Sequence, residues 1–220
     1  MKIKVIITGA TGMVGEGVLL ECLEHPDVEK VLSVVRKSSG LQHAKLEDLI
    51  IPDFLKVDEV KDQLMGYDGC FYCAGVSSVG MKEAEYAHIT YDITIYFAKT
   101  LVVLNPNMVF DYVSGKLTDS SEQGRMMWAR VKGKTENALM RLPFKSVYNF
   151  RPGIMEPTPG QKQLKPFYKF MILLYPLLRL FFRNSETTLK QVGRAMINTV
   201  LYGYDKHIIE VEDIKILGDK

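Results

Sequence analysis

An apolar run, Ile3 to Ile7, interrupted only by Lys4, leads straight into Thr8-Gly9-Ala10-Thr11-Gly12-Met13-Val14-Gly15, and a helical apolar pattern leaves it. A near-continuous apolar run is what a parallel strand buried on both faces requires. Strand, glycine turn and helix in that order form one half of a βαβ unit. Three glycines three residues apart let backbone approach a phosphate. The first permits the tight turn, the second lets the main chain come close to a pyrophosphate, and the third lets helix pack on strand. The helix start then directs free N–H groups and partial positive charge at the anion. The competing reading is a glycine-rich turn in an α/β protein that holds no ligand.

The rest of the chain repeats the alternation. Met13–Glu24 carries Val14, Val18, Leu19, Cys22 and Leu23 at helical spacing and stops before His25-Pro26. Strands are expected at Glu29–Val35, Leu49–Ile51, Gly69–Ala74, Met108–Val113 and Val147–Phe150, with a last short one at His207–Val211. Helices are expected at Asp58–Met65, Lys82–Leu104, Arg125–Leu142 and Leu189–Tyr202. The pattern predicts an α/β fold: a doubly wound, mainly parallel sheet (a Rossmann fold) with a short C-terminal substrate-side cap. Residues 1–153 form the dinucleotide-binding core. Residues 154–220 form the cap and last strand, packed on the core as one structural domain.

The 220 residues, 47% hydrophobic and 25% charged, suffice for one well-buried core. A formal net charge of +2 gives no electrostatic case for nucleic acid. No apolar stretch and cleavage site of a secretory signal follows Met1, and three cysteines suit a reducing cytoplasm. Cys70 and Cys73 form a C-x-x-C within an expected strand, where positions three apart face opposite sides. That spacing argues against a redox or metal role, and no metal site is expected. The partner is expected to be a small molecule, and the chain a monomer or homodimer.

The end of the second strand speaks to cofactor choice. An acidic residue there binds the ribose 2′-hydroxyl of NAD, and an arginine accommodates the 2′-phosphate of NADP. Arg36 follows Val35, with Lys37 beside it, so NADP is expected over NAD.

The chain resembles the short-chain dehydrogenase/reductase superfamily in its atypical or extended branch. Within it the chain is most similar to the Tat-interacting-protein family of NAD(P)-binding oxidoreductase-like proteins. The resemblance runs from Lys2 to about Asp213. It rests on Gly9-x-x-Gly12-x-x-Gly15, Asp53-Phe54, Cys73-Ala74-Gly75, Ser114, Val131-Lys132-Gly133 and Phe150-Arg151-Pro152-Gly153 in that order. It implies that Gly9, Thr11, Gly12, Met13 and Val14 wrap the pyrophosphate and that Asp53 and Phe54 sit at the adenine. It further implies that Ala74, Gly75 and Val76 line the path to the nicotinamide ribose and that Lys132 holds the ribose hydroxyls. Pro152, Gly153 and Ile154 would contact the nicotinamide, and Ser114 would hydrogen-bond a substrate carbonyl.

One departure bears on catalysis. The superfamily places a tyrosine four residues before the lysine, and here that residue is Trp128. The spacing still puts both side chains on one helix face. An indole N–H donates but does not titrate as a phenol does, so it is no general acid. Tyr86 and Tyr91 are candidate substitutes, whereas Tyr112 reads as core. Two functions stay open. One is an NADP-preferring oxidoreductase or epimerase-like enzyme on a small carbonyl compound, with Ser114, Lys132 and Trp128 at the reacting centre. The other is a catalytically weak cofactor-binding regulator or interaction module. The apolar, basic-flanked segment 166–182 is too short and too basic to span a membrane. It reads as a pocket lid, a partner surface or a membrane-surface helix.

Overall fold

The computed structural model describes residues 1–162 and 186–220. Segment 166–182 lies outside the described residues. The first strand is β1 (Ile3–Thr8), and all but one of its residues are buried, as the apolar run requires. The glycine turn passes into α1 (Met13–Glu24). The chain then forms β2 (Val28–Val35) and β3 (Leu46–Ile50). A 3₁₀ segment, Phe54–Leu64, leads to β4 (Gly69–Tyr72). Next, α2 (Glu83–Ala87) passes through a π-helical turn at His88–Asp92 into α3 (Ile93–Leu104). The chain continues through β5 (Val109–Val113), α4 (Met127–Leu139) and β6 (Ser146–Phe150). It ends in β7 (Ile154–Glu156), β8 (Glu186–Thr188), α5 (Leu189–Tyr202), β9 (Ile208–Ile209) and α6 (Val211–Gly218).

Seven strands form one sheet in the order β3-β2-β1-β4-β5-β6-β9. Every pairing in it is parallel. The expected doubly wound sheet is therefore present. From β1 the chain winds outward to β3, then crosses back to β4 and winds the other way. This reversal opens a crevice between the C-terminal ends of β1 and β4, where open parallel sheets bind ligands.

Two apolar layers sandwich the sheet. One packs α1 and α5 against Val5, Ile7, Val31 and Phe71. The other packs the 3₁₀ segment, α3 and α4 against Ile6, Leu32, Tyr72, Phe110 and Tyr112. Cys70 belongs to the second layer and Cys73 packs against the first, so the pair faces opposite sides as its spacing predicts. Helix α5 docks closely on α1: a Cβ on Gly17 would lie 2.7 Å from the Leu189 side chain. The residues from Leu189 onward thus complete the core beneath the sheet.

Several boundaries differ from the sequence reading. Strand β3 begins at Leu46, three residues early, because Leu46 pairs with Val31 across the edge of the sheet. The helical segment after it starts at Phe54 instead of Asp58, because Asp53 accepts the Leu55 N–H at 3.0 Å and caps it. The helix expected over 82–104 contains the π turn, which apolar spacing does not reveal. The small parallel pair β7–β8 joins residues some thirty apart, and neither segment alternates. The last strand is only two residues long. Helix α6 follows it, started by a reciprocal capping box between Glu210 and Asp213.

Candidate functional site

Because all seven strands run the same way, their C-terminal ends bring the predicted residues to one edge. Gly9 follows β1, Arg36 follows β2, Ala74-Gly75-Val76 follow β4, Ser114 follows β5, and Pro152-Gly153-Ile154 follow β6. Topology alone produces this convergence.

The glycine turn is built for close backbone approach. Gly9 has φ +71°, and a Cβ there would meet Cys73 and Ala74 backbone atoms at 2.7 Å. The end of β4 thus lies against the turn. It is tied there by the Ala74 N–H, which donates to Thr8 Oγ1 at 3.1 Å. The Gly12 N–H donates to the Gly9 carbonyl at 2.8 Å and closes the turn. A Cβ on Gly15 would lie 2.2 Å from the Gly9 oxygen. Gly12 is the N-cap of α1, and no side chain caps the helix. The first-turn N–H groups of a three-turn helix therefore face the crevice edge with no side-chain cap among the described residues. Glu16, the one acid of that turn, accepts the Lys162 N–H at 2.8 Å and lies 3.4 Å from the Gln161 amide. Thr11 and Gly12 are exposed, Val14 is half-buried, and Met13 is buried.

The adenine-side residues separate. Asp53 is exposed and caps the 3₁₀ segment. Phe54 instead turns into the core, its ring centroid 5.4 Å from that of Phe97. Arg36 and Lys37 are both exposed. The loop they begin is anchored by Ser38, whose hydroxyl donates to Asp48 Oδ2 of β3 at 2.5 Å.

At the end of β5 lies a buried polar network. Ser114 is 5% exposed and Glu136, one helical turn beyond Lys132, is fully buried. The Ser114 hydroxyl lies 2.5 Å from Glu136 Oε1 and 3.1 Å from the Phe150 carbonyl, and its single proton serves one or the other. Arg151 donates from Nε to Glu136 Oε1 at 3.0 Å and from Nη2 to Oε2 at 2.5 Å. It also reaches Ser120 Oγ at 2.6 Å and Glu210 Oε1 at 3.3 Å. Lys132 Nζ donates to the Ser114 backbone carbonyl. Burial pushes its ammonium down from 10.5 to about 8, with Glu136 acting in the opposite sense. Trp128 sits half-buried in the first turn of α4. The candidate tyrosines are held by other contacts. Tyr86 and Tyr112 are each 2% exposed in the core, and the Tyr91 ring is covered by Lys134 Nζ at 4.3 Å. Pro152 is buried, its carbonyl accepting the Lys116 N–H at 2.9 Å, and Gly153 and Ile154 are half-buried.

Glu136 was not singled out from the sequence, although its spacing of four from Lys132 marks it as a neighbour on the same helix face. The sequence marks Arg151 only as part of Phe150-Arg151-Pro152-Gly153. Among the described residues no His/Cys/Asp/Glu group could hold a metal ion. No described helix is long and apolar enough to cross a membrane.

Fold and site together define an α/β protein of the Rossmann fold, with a glycine turn at the point where its strand order reverses. The model of the NAD dependent epimerase/dehydratase family matches residues 5–111. No curated protein matches the chain. Several solved structures share the fold. MoeE5 in complex with UDP-glucose and NAD is 18% identical, with TM-score 0.64, over 93% of this chain and 74% of that one. The Bordetella bronchiseptica enzyme WbmF in complex with NAD⁺ is 13% identical, with TM-score 0.68, over 99% and 77%. The Helicobacter pylori ADP-L-glycero-D-manno-heptose-6-epimerase is 16% identical, with TM-score 0.69, over 99% and 82%. These likenesses correct the cofactor expectation. MoeE5 and WbmF carry NAD, and the NADP preference read from Arg36 does not stand. The physical reason is visible in the loop. Arg36 and Lys37 are exposed at its start, while the polar contact that anchors it is to a carboxylate, Asp48. That carboxylate offsets part of the positive charge that Arg36 and Lys37 bring to the loop.

Proposed function

We propose that the chain binds NAD across the C-terminal edge of its sheet and acts as an epimerase- or dehydrogenase-like oxidoreductase on a small carbonyl or hydroxyl compound. The observation that carries this reading is the Gly9–Gly12–Gly15 cradle at the crevice, where Cβ atoms at Gly9 and Gly15 would fill space against backbone and α1 opens uncapped. Gly9, Thr11, Gly12, Met13 and Val14 would hold the pyrophosphate, with first-turn N–H groups donating to it. Asp53 would serve the adenosine end. Ala74, Gly75, Val76, Pro152, Gly153 and Ile154 would flank the nicotinamide half, and Lys132 the ribose hydroxyls. The bound nicotinamide would supply or accept hydride at the substrate carbon. UDP-glucose in the MoeE5 complex makes nucleotide sugars a reasonable first panel of substrates. The narrower likeness to the Tat-interacting-protein family rests on the sequence motifs.

The second reading, a cofactor-binding regulator with little turnover, is favoured by Trp128 in place of the phenol. One titration tests both for binding. Trp128 is the chain's single tryptophan, so NADH binding should quench its emission and give energy transfer to the reduced nicotinamide. Absence of any change overturns the proposed mode. Binding without turnover on a panel of carbonyls and nucleotide sugars selects the regulator.

A further inference from the structure

Reduction at the end of β5 needs a group that can release a proton to the substrate oxygen, and Lys132 Nζ is held there. The Ser114 O–H is committed to Glu136 or to the Phe150 carbonyl, both acceptors. Glu136 is fully buried and takes two N–H groups from Arg151. The Trp128 indole does not titrate in water. Tyr86 and Tyr112 are sealed in the core, their phenols pushed up by burial. Lys132 remains. Its Nζ is fixed at the end of β5 by the Ser114 carbonyl, and an ammonium keeps two further N–H groups.

We propose that Lys132 is the proton donor of carbonyl reduction in this chain, replacing the phenol that Trp128 displaces. The inference deepens the oxidoreductase reading and rests on it. A Lys132 N–H bond breaks as the substrate O–H bond forms, while the hydride supplied by the reduced nicotinamide goes to the carbonyl carbon. Lys132 is left as a neutral amine and regains its proton from water. In the oxidative direction the neutral amine takes the hydroxyl proton.

Among the described residues the charged groups around Lys132 are few. Glu136 lies one turn along α4 and is faced by Arg151 from the end of β6. Arg130 of α4 pairs with Glu83 of α2 at 2.7 Å. Asp119, whose backbone carbonyl abuts Gly133, has its carboxylate held by Ser121 and the Gly124 N–H. Tyr86 and Tyr112 stay neutral across the working range, since burial raises both. Burial therefore governs the Lys132 ammonium.

The test begins without substrate. Lysines are methylated with ¹³C-formaldehyde and their methyl resonances followed against pH, with Lys132→Arg identifying the Lys132 signal. That signal should titrate near 8, below the bulk lysines. On unmodified protein, NADH-dependent reduction of 9,10-phenanthrenequinone should fall about tenfold per pH unit above that value. Lys132→Arg keeps charge and fold but does not release a proton in this range. At NADH concentrations that saturate the variant, as read from Trp128 quenching, it should turn over about 10²-fold more slowly, without the alkaline limb. A Lys132 signal that titrates with the bulk lysines overturns the proposal, as does a variant with the wild-type rate and limb. Wild-type protein that binds NADH but reduces nothing also overturns it and leaves the NAD reading intact. Failure of NADH to bind overturns both.

Discussion

Gly15 packs directly against the carbonyl of Gly9: a Cβ on Gly15 would stand 2.2 Å from that oxygen. The turn and the helix it starts are therefore one rigid unit, and the cradle depends on a contact between two backbones. Gly15→Ala should push the turn out of place and cost about 1–3 kcal/mol, the usual range for overpacking. Urea unfolding checks the stability. Loss of NADH-induced Trp128 quenching in the variant, measured where it is still folded, checks the link between turn geometry and binding.

The Glu136–Arg151 pair should matter for stability more than any surface ion pair. Glu136 is fully buried and Arg151 is 9% exposed, and they share two hydrogen bonds. Glu136→Ala leaves the guanidinium without its buried partner and should cost about 3–5 kcal/mol. Lys30–Glu47 at 2.6 Å is half-exposed on both sides, and Glu47→Ala should cost less than about 1 kcal/mol. Equal costs by urea unfolding would contradict the buried network.

Asp111 gives a pH dependence with a definite sign. It is fully buried in the middle of β5. It accepts from Thr199 Oγ1 at 2.8 Å, and its second oxygen has no hydrogen-bond partner among the described residues. Desolvation raises its carboxyl well above the usual range. A carboxyl raised in the folded state favours folding while protonated, and that stability is lost as pH rises above the unfolded-state value. Wild type should therefore lose stability relative to Asp111→Asn between about pH 4 and pH 8. Parallel urea curves at both pH values would refute the assignment.

Trp128→Tyr places a phenol four residues before Lys132, on the same face of α4. A phenol beside a nearby ammonium ionises more readily, and general acid catalysis contributes about 10²–10⁴-fold. The variant should reduce 9,10-phenanthrenequinone with NADH faster than wild type. A slower variant would mean that the indole itself serves the site.

The order of elements was legible because each carries its signal locally. Ile3–Ile7, the glycine turn and Leu189–Tyr202 contain their own periodicity and punctuation, and the structure places strand, turn and helix there. What escaped was decided by contacts distant in sequence. Strand β7 exists by pairing with β8. Phe54 packs on Phe97 of α3, a contact that the pattern around Phe54 does not announce.

The sequence by itself determined the winding of the sheet and the glycine turn at its first crossover. These follow from backbone sterics, apolar period and side-chain chemistry, which act over a few residues. The tertiary structure alone decided which polar groups face each other. It turned the Ser114 hydroxyl inward to Glu136, locked that carboxylate to Arg151, and set the Lys132 amine on the Ser114 carbonyl. Those pairings join β5, α4 and β6, and only the burial that packing creates makes a lysine titrate near 8.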